Sequence, residues 1–207
     1  RRYEHGATVA GRPVINFSLA LNYAIGELDV RGYHAFNLAV HLLAGLTLFG
    51  LIRRTLLLPK FPERISSRAT GLALTCALLW TLHPLQTESV TYIIQRAESL
   101  GGLFYLLILY CVVRSVGAAV SVVTGKAPSR AGTDGRIRSL SWSVAAVICC
   151  IFGVGCKEVV ATAPVVILLF DRFFLSASFV TALERRRFLY GGFVAAWLIQ
   201  GFLVILA

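Results

Sequence analysis

Charged residues are scarce in this sequence, and methionine is absent from it. Only 14% of the 207 residues are Asp, Glu, Lys or Arg, whereas a soluble domain usually carries about 25%. Hydrophobic residues make up 57% of the chain, and the mean hydropathy is +0.75. This balance excludes an ordinary soluble domain and predicts a protein that lies largely in lipid.

The sequence also lacks a methionine start and any segment that resembles a secretory signal peptide. It begins at Arg1, and its last apolar run reaches Ala207 without a polar flank. We therefore expect a piece of a longer chain, truncated at both ends, whose targeting information lies upstream.

Six apolar runs occupy most of the chain after residue 34. Several approach the roughly 20 residues that a helix needs to cross a bilayer, although 69–82 and 159–170 are short. The runs are continuous rather than alternating, which favours helices over strands. The sequence predicts an all-α fold in which 35–207 forms a polytopic membrane helix bundle with about six transmembrane helices, and 1–34 is the remainder of an external loop. The runs are 35–52, 69–82, 100–113, 140–156, 159–170 and 189–207.

No group of residues in the sequence has the spacing of a metal site. The five cysteines lie in or at the edge of apolar runs, which is typical of small core-packing residues. His34, Asn37 and His41 share one face of the first span, but its two histidines are about 10 Å apart along the axis, too far for one metal. The pattern favours hydrogen bonds between helices over zinc binding.

Acidic residues are half as numerous as basic ones, and the basic excess lies on one side of the predicted bundle. One set of alternate connections carries 14 of the 20 Lys and Arg residues and a net charge of +10, whereas the other set is neutral overall. The positive-inside rule places the basic set in the cytoplasm. Topology and anionic lipid then explain the charge without nucleic acid. The basic set is 52–68, 114–139 and 171–188; the neutral set is 1–34, 83–99 and 157–158.

Two features of the predicted cytoplasmic side give no indication of a ligand site. Residues 125–139 are rich in Gly, Ser and charge, which predicts a flexible connector. Asp171 and Arg172 follow an apolar run, and we interpret them as an anchor for the helix end.

The predicted external side begins with an amphipathic segment. In GRPVINFSLALNYAIGELDVRGYH, 11–34, apolar residues recur near helical spacing, with Asn and Ser between them. This pattern is typical of a helix lying in the membrane interface, and Gly26 can end it. The alternative is an interfacial anchor with no part in a site.

A polar stretch, HPLQTESVTYIIQRAESL, interrupts the apolar runs at 83–100. Pro84 should break the preceding span, and Thr87 can cap a new short helix. On that helix Glu88 and Arg96 would share one side. Arg96 suits a phosphate because its guanidinium is a bidentate fork, and Glu88 could orient hydroxyls or accept a proton. The stretch is a candidate wall of a lipid or sugar-donor pocket, with a solvated loop as the alternative.

Lys157 and Glu158 form a second polar junction on the same predicted side. They stand between two apolar runs with almost no loop. Ionisable residues at such a junction, on the side that carries Arg96, could complete a phosphate-binding pocket. The alternative is a tight hairpin that exposes both residues to solvent.

Three stretches of the sequence resemble signatures of a known family, in the same order and with similar spacing. They are GRPVINFSLALNYAIGELDVRGYHAFNLAVHLL, HPLQTESVTYIIQRAESLGGLFYLL and KEVVATAPVVILLFDR. They are similar to the multispan O-mannosyltransferase-like proteins that carry tetratricopeptide repeats. The resemblance implies a GT-C glycosyltransferase fold. It also implies transfer of mannose or another hexose from a polyprenyl-phosphate carrier to a protein hydroxyl or other acceptor, on the external or lumenal face.

The resemblance also assigns roles to residues. It implies that Arg96 and Lys157 bind the carrier phosphate and that His83 and Glu88 form the rim of the pocket. Three further residues of the same side complete the set of pocket candidates: Glu98, Glu158 and His34.

The catalytic acid implied by the family lies upstream of Arg1, in the first external loop, so the catalytic residue of this chain is unknown and the piece alone should be inactive. The implied mechanism stabilises the leaving phosphate with cations, to which a divalent metal could add. A bacterial inner membrane is the expected location, or the endoplasmic reticulum membrane in a eukaryote. The rival prediction is a transporter or a lipid-handling protein without transferase activity.

Overall fold

The computed structural model of the chain describes residues 12–123, 131–176 and 178–206, and throughout these ranges the regular structure is helical. Ten α-helices follow one another, joined by short 3-10 turns and one π-turn. They are α1 Pro13–Gly26, α2 Val30–Leu56, α3 Glu63–Ser66, α4 Ala69–Thr81, α5 Thr87–Thr91, α6 Arg96–Val123, α7 Ala131–Val154, α8 Ala163–Phe170, α9 Phe179–Arg185 and α10 Arg187–Leu206. The predicted all-α bundle is confirmed.

The start and end of α1 follow from its sequence. Pro13 occupies the first turn, where its missing N–H costs nothing, and the helix ends at Gly26 as predicted. The chain then turns through Glu27, which has a φ of 49°, and Asp29 caps α2 by accepting a hydrogen bond from the amide of Arg31. The Tyr33 hydroxyl donates to the Glu27 carbonyl at 2.8 Å and fixes this turn.

Helix α6 lies at the centre of the bundle. It packs against α2 on one side and α7 on the other, while α4 packs on α2 and α10 on α7. Small residues allow the close approach that helices in lipid require. At Gly153, for example, an added Cβ would lie 2.8 Å from Val160 and 2.9 Å from Phe104. The buried core centres on Ile108, and it extends through α6, α7, α8 and α10.

The number of spans is smaller than predicted. Three helices are long and apolar enough to cross a membrane, and a fourth is possible if two helices separated by a bend of 106° form one broken span. The run 69–82 yields only 13 helical residues because the chain leaves the helix ahead of Pro84. The run 159–170 is divided between a 3-10 turn and the eight-residue α8. The run 189–207 falls on α10, which is not among the spans found. The predicted six is therefore corrected to three or four within the described residues.

Two predicted segments fall partly outside the described residues. Residues 1–11 of the expected external loop and 125–130 of the expected connector lie there. The rest of the connector, 131–139, was wrongly predicted, because it forms the first turns of α7.

The side chains sort to the two ends of the bundle as the charge count predicts. Contacts at one end join residues of the predicted external connections, such as Lys157 with Glu98. Contacts at the other end join the basic connections, such as Lys60 with the carbonyl of Phe173. We call these the α1 end and the basic end. The side of the membrane on which each lies stays a prediction.

Candidate functional site

Arg96 joins three helices at the α1 end. It opens α6, and only 1% of its surface is exposed. Its Nε donates to Asn37 Oδ1 at 3.0 Å, and its two other nitrogens donate to the carbonyls of Ser18 at 3.1 Å and Tyr33 at 3.3 Å. The guanidinium carbon lies 4.3 Å from the centroid of the Phe36 ring, so the charge is also stabilised by a cation–π contact.

The polar face of α2 hydrogen-bonds to neighbouring segments. His34 Nδ1 lies 3.2 Å from the carbonyl of Val90, and His41 Nε2 lies 2.9 Å from that of Thr81. Each ring nitrogen must carry a proton to donate to a carbonyl. The Asn37 amide donates to the carbonyl of Tyr92 at 3.2 Å. The prediction of interhelix hydrogen bonds is confirmed, and no group of metal ligands occurs in the part of the chain that the structure describes.

The segment between α4 and α6 differs from its predicted form. It contains the five-residue α5, an extended residue at Tyr92 and a 3-10 turn, so Glu88 and Arg96 do not share a helix face. Thr87 does not cap α5, whose N-cap position is Gln86 and carries no side-chain hydrogen bond. His83 instead caps the preceding 3-10 turn, Pro84–Gln86, because its Nδ1 accepts from the amide of Leu85 at 3.2 Å. The break at Tyr92 presents that residue's carbonyl to Asn37, which compensates for the interrupted helix.

A cavity of about 420 Å³ opens between α2, α4, α5 and α6. This volume is within the usual range for small-molecule sites. The polar part of the lining comes mainly from the segment that includes α5 and from the first turns of α6. Leu48 and Leu106 line the part of the cavity that is further from the α1 end. The remaining lining residues are His41, Ala44, Trp80, Gln86, Ser89, Glu98, Ser99, Gly102, Leu103 and Tyr105. Because its lining changes from polar to apolar along its length, the cavity can accept a ligand with a polar head and an apolar tail.

Lys157 contacts one residue of the cavity lining, Glu98, but is not itself part of the described lining. Its ammonium forms an ion pair with Glu98, and the two side chains are 25% and 50% exposed. Gly101 lets Lys157 pack closely on α6, since a Cβ added there would lie 3.3 Å from that of Lys157. Beside this pair, Arg12 and Glu158 form a second ion pair at 3.2 Å, which ties the start of α1 to the same junction.

The structure brings some of the predicted site residues together and leaves others apart. Glu98 lines the cavity and holds Lys157, with Glu158 next to Lys157 in the chain. His34 is engaged with a backbone carbonyl, and Arg96 would have to leave its three acceptors to reach a ligand. The two predicted rim residues, His83 and Glu88, are exposed and absent from the described cavity lining. The ligand roles of all these residues stay predictions.

Sequence reasoning missed most of the cavity lining. Trp80 and Tyr105 lie within apolar runs that were predicted to be membrane spans, and Ser99 lies in the polar stretch 83–100 but was not named as a site residue. His41 was assigned to helix packing, which it also performs, because its ring stacks on Trp80 at a centroid distance of 5.2 Å. Trp80 stands beside the polar stretch 83–100, and a tryptophan in that position was the signal from which this side of the cavity could have been predicted.

These features define a helical integral-membrane protein with a cavity at one end of its bundle. Several curated proteins of similar sequence are named protein O-mannosyl-transferases. The chain is 31% identical over 112 residues to protein O-mannosyl-transferase TMTC3 of Mus musculus and 34% identical over 104 residues to Tmtc1 of Drosophila melanogaster, which covers 54% and 50% of this chain. It is 30% identical over 165 residues, 80% of the chain, to human TMTC1.

The chain spans a small part of each of these relatives: 11% of the first two and 17% of the human protein. No protein-family model matches it, and no solved structure gives a significant match. The similarity therefore relates this chain to one segment of proteins named as O-mannosyl-transferases.

Proposed function

We propose that this chain is part of the membrane domain of a glycosyltransferase. The donor is a sugar, mannose or another hexose, linked to a polyprenyl phosphate. The acceptor is a protein hydroxyl or another hydroxyl-bearing group on the external or lumenal face of a bacterial inner membrane or of the endoplasmic reticulum. The cavity supports this proposal most directly, because it pairs a polar end bearing Glu98 with an apolar wall bearing Leu48 and Leu106.

Lys157 is the residue we assign to the carrier phosphate. When the acceptor oxygen attacks the anomeric carbon, the bond from that carbon to the phosphate oxygen breaks and negative charge develops on the leaving phosphate. An ammonium next to the cavity lining stabilises that charge. Glu98 would hold Lys157 in place before the donor arrives.

Arg96 is better suited to positioning than to binding. Its hydrogen bonds to α1 and α2 fix the end of α6 that carries Glu98. The base that takes the acceptor proton is not assigned to any residue of this chain. A divalent metal could add to the positive charge at the phosphate, and the described residues contain no cluster built to hold one.

The proposal is tested by Lys157→Gln in the full-length protein, with transfer of labelled mannose from polyprenyl-phosphate mannose to a peptide as the measurement. Loss of a transition-state cation commonly costs 10²-fold or more, so we expect turnover to fall about 100-fold. The matched control is Arg136→Gln, which removes an exposed cation at the basic end. Equal turnover in the two variants would refute the role of Lys157. Movement of the lipid across the membrane without any transfer, in the unmodified protein, would favour the transporter.

A further inference from the structure

At the basic end, two arginines approach one tyrosine ring. The guanidinium carbons of Arg54, in the last turns of α2, and Arg114, on α6, lie 5.8 and 5.9 Å from the centroid of Tyr110. Arg114 also donates to the Tyr110 hydroxyl at 3.3 Å and lies 4.4 Å from the ring of Trp142 on α7. Three helices thus hold two half-buried cations around one phenol.

No described carboxylate neutralises these two cations. The three ion pairs found among the described residues involve Arg12, Lys157 and Arg186. The aromatic rings compensate for part of the desolvation of Arg54 and Arg114, since a cation–π contact stabilises a charge less than an anion does. An anionic ligand would therefore find two pre-positioned guanidinium groups and a hydroxyl.

The surface beside these cations is apolar. Leu43 and Leu46 are 52% and 66% exposed on α2, and Arg54 follows them by eleven and eight residues, so all three lie on one face of the helix. Eleven residues extend about 16 Å along a helix axis. This is long enough for part of an acyl chain to lie against α2 while its headgroup is held at the helix end.

We infer that Arg54, Arg114 and Tyr110 form a binding site for the phosphate headgroup of an anionic phospholipid. Arginine is suited to phosphate because its N–H groups match two phosphate oxygens, and basic pockets between membrane helices recognise such headgroups. The Tyr110 hydroxyl can donate to a third oxygen. The site lies at the basic end, whereas the polar lining of the cavity, with Glu98, lies toward the α1 end. It does not depend on the proposed transferase activity.

Native mass spectrometry of the protein in a neutral detergent tests this inference, with phosphatidylglycerol and phosphatidylcholine offered in equal amounts. In detergent the diffuse attraction of an anionic leaflet is absent, so retention of a lipid reports a built site. The unmodified protein should retain phosphatidylglycerol preferentially. The double variant Arg54→Gln, Arg114→Gln should lower that preference about tenfold or more, from the loss of two headgroup cations.

The matched control removes two exposed cations at the same end, Arg136→Gln with Arg138→Gln, and should keep the preference. The variant Arg54→Lys, Arg114→Lys preserves charge but lacks the paired N–H groups of arginine, so its lipid preference should lie between those of the unmodified protein and the Gln variant. It also controls for misfolding of the Gln variant. An unchanged preference in the Gln variant, or an equal loss in the control, would overturn the inference. Displacement of the lipid by millimolar inorganic phosphate would also overturn it, because the site would then recognise a free anion rather than a lipid.

Discussion

Arg96→Leu should release α1 from the bundle while leaving the membrane spans in place. The substitution keeps an apolar stem but removes every hydrogen bond from the guanidinium to α1 and α2. Three acceptors lose the guanidinium as donor: Asn37 Oδ1 and the carbonyls of Ser18 and Tyr33. The cation–π contact with Phe36 is lost as well. Of these contacts, the bond to Ser18 is the one that joins α6 to α1.

The expected cost follows from the fate of those acceptors. Of the three lost hydrogen bonds, the one to the Ser18 carbonyl joins Arg96 to α1. A hydrogen bond from a charged donor contributes about 1.5–3 kcal/mol. A loss of about 2 kcal/mol shifts the docking equilibrium of α1 by about 30-fold.

Cysteine labelling measures this shift directly. Ile15 is 2% exposed, on the buried face of α1, so Ile15→Cys should react with a maleimide only when α1 undocks. Peptide mass spectrometry separates labelling at position 15 from that of the native cysteines. We expect the rate to rise about 30-fold when Arg96→Leu is added, as the open fraction grows. The control, Arg31→Ala, removes an exposed cation at the same end. An unchanged rate in Arg96→Leu, or an equal rise in the control, would refute the assigned role.

Three other substitutions test contacts described above. Asp171→Ala should lower the free energy of unfolding by about 3 kcal/mol, because the carboxylate is fully buried and bound by an arginine. Thermal melting in detergent should show this loss. The control Glu184→Ala removes an exposed carboxylate and should show no loss. Gly153→Leu should lower the melting temperature, as its side chain must displace two neighbours; an unchanged value would show that the helices can move apart. Lys157→Glu with Glu98→Lys should recover the stability lost in either single variant, and an additive loss in the double variant would contradict a direct ion pair.

The sequence was sufficient to predict helix α1 and the sorting of charge. Pro13 and Gly26 stand at the two ends of α1, where each residue type is favoured by its backbone geometry. The separation of the α1 end from the basic end follows from counting Lys and Arg residues in alternate connections. Both signals depend on residue type and on local position, so they can be read without a structure.

The role of Arg96 could not be read in this way. Two of its three acceptors are backbone carbonyls, which every residue has and no pattern distinguishes. Its partners also lie 59 to 78 residues away in the chain. The number of spans was overestimated for a different reason, because apolar length alone ignores Pro84 and Pro164, which interrupt helices within or beside apolar runs.

The separation of Arg96 from Ser18 also sets an order of events during synthesis. A ribosome completes α1 long before it reaches Arg96, which follows Ser18 by 78 residues. At the usual 5–20 residues per second, about 4 to 16 s pass between the two. Through that interval α1 can contact α2, to which Asn22 donates a hydrogen bond, but it has no contact with α6. The α1–α2 pair therefore forms first, and α1 becomes fixed to the centre of the bundle only when the start of α6 has been synthesised.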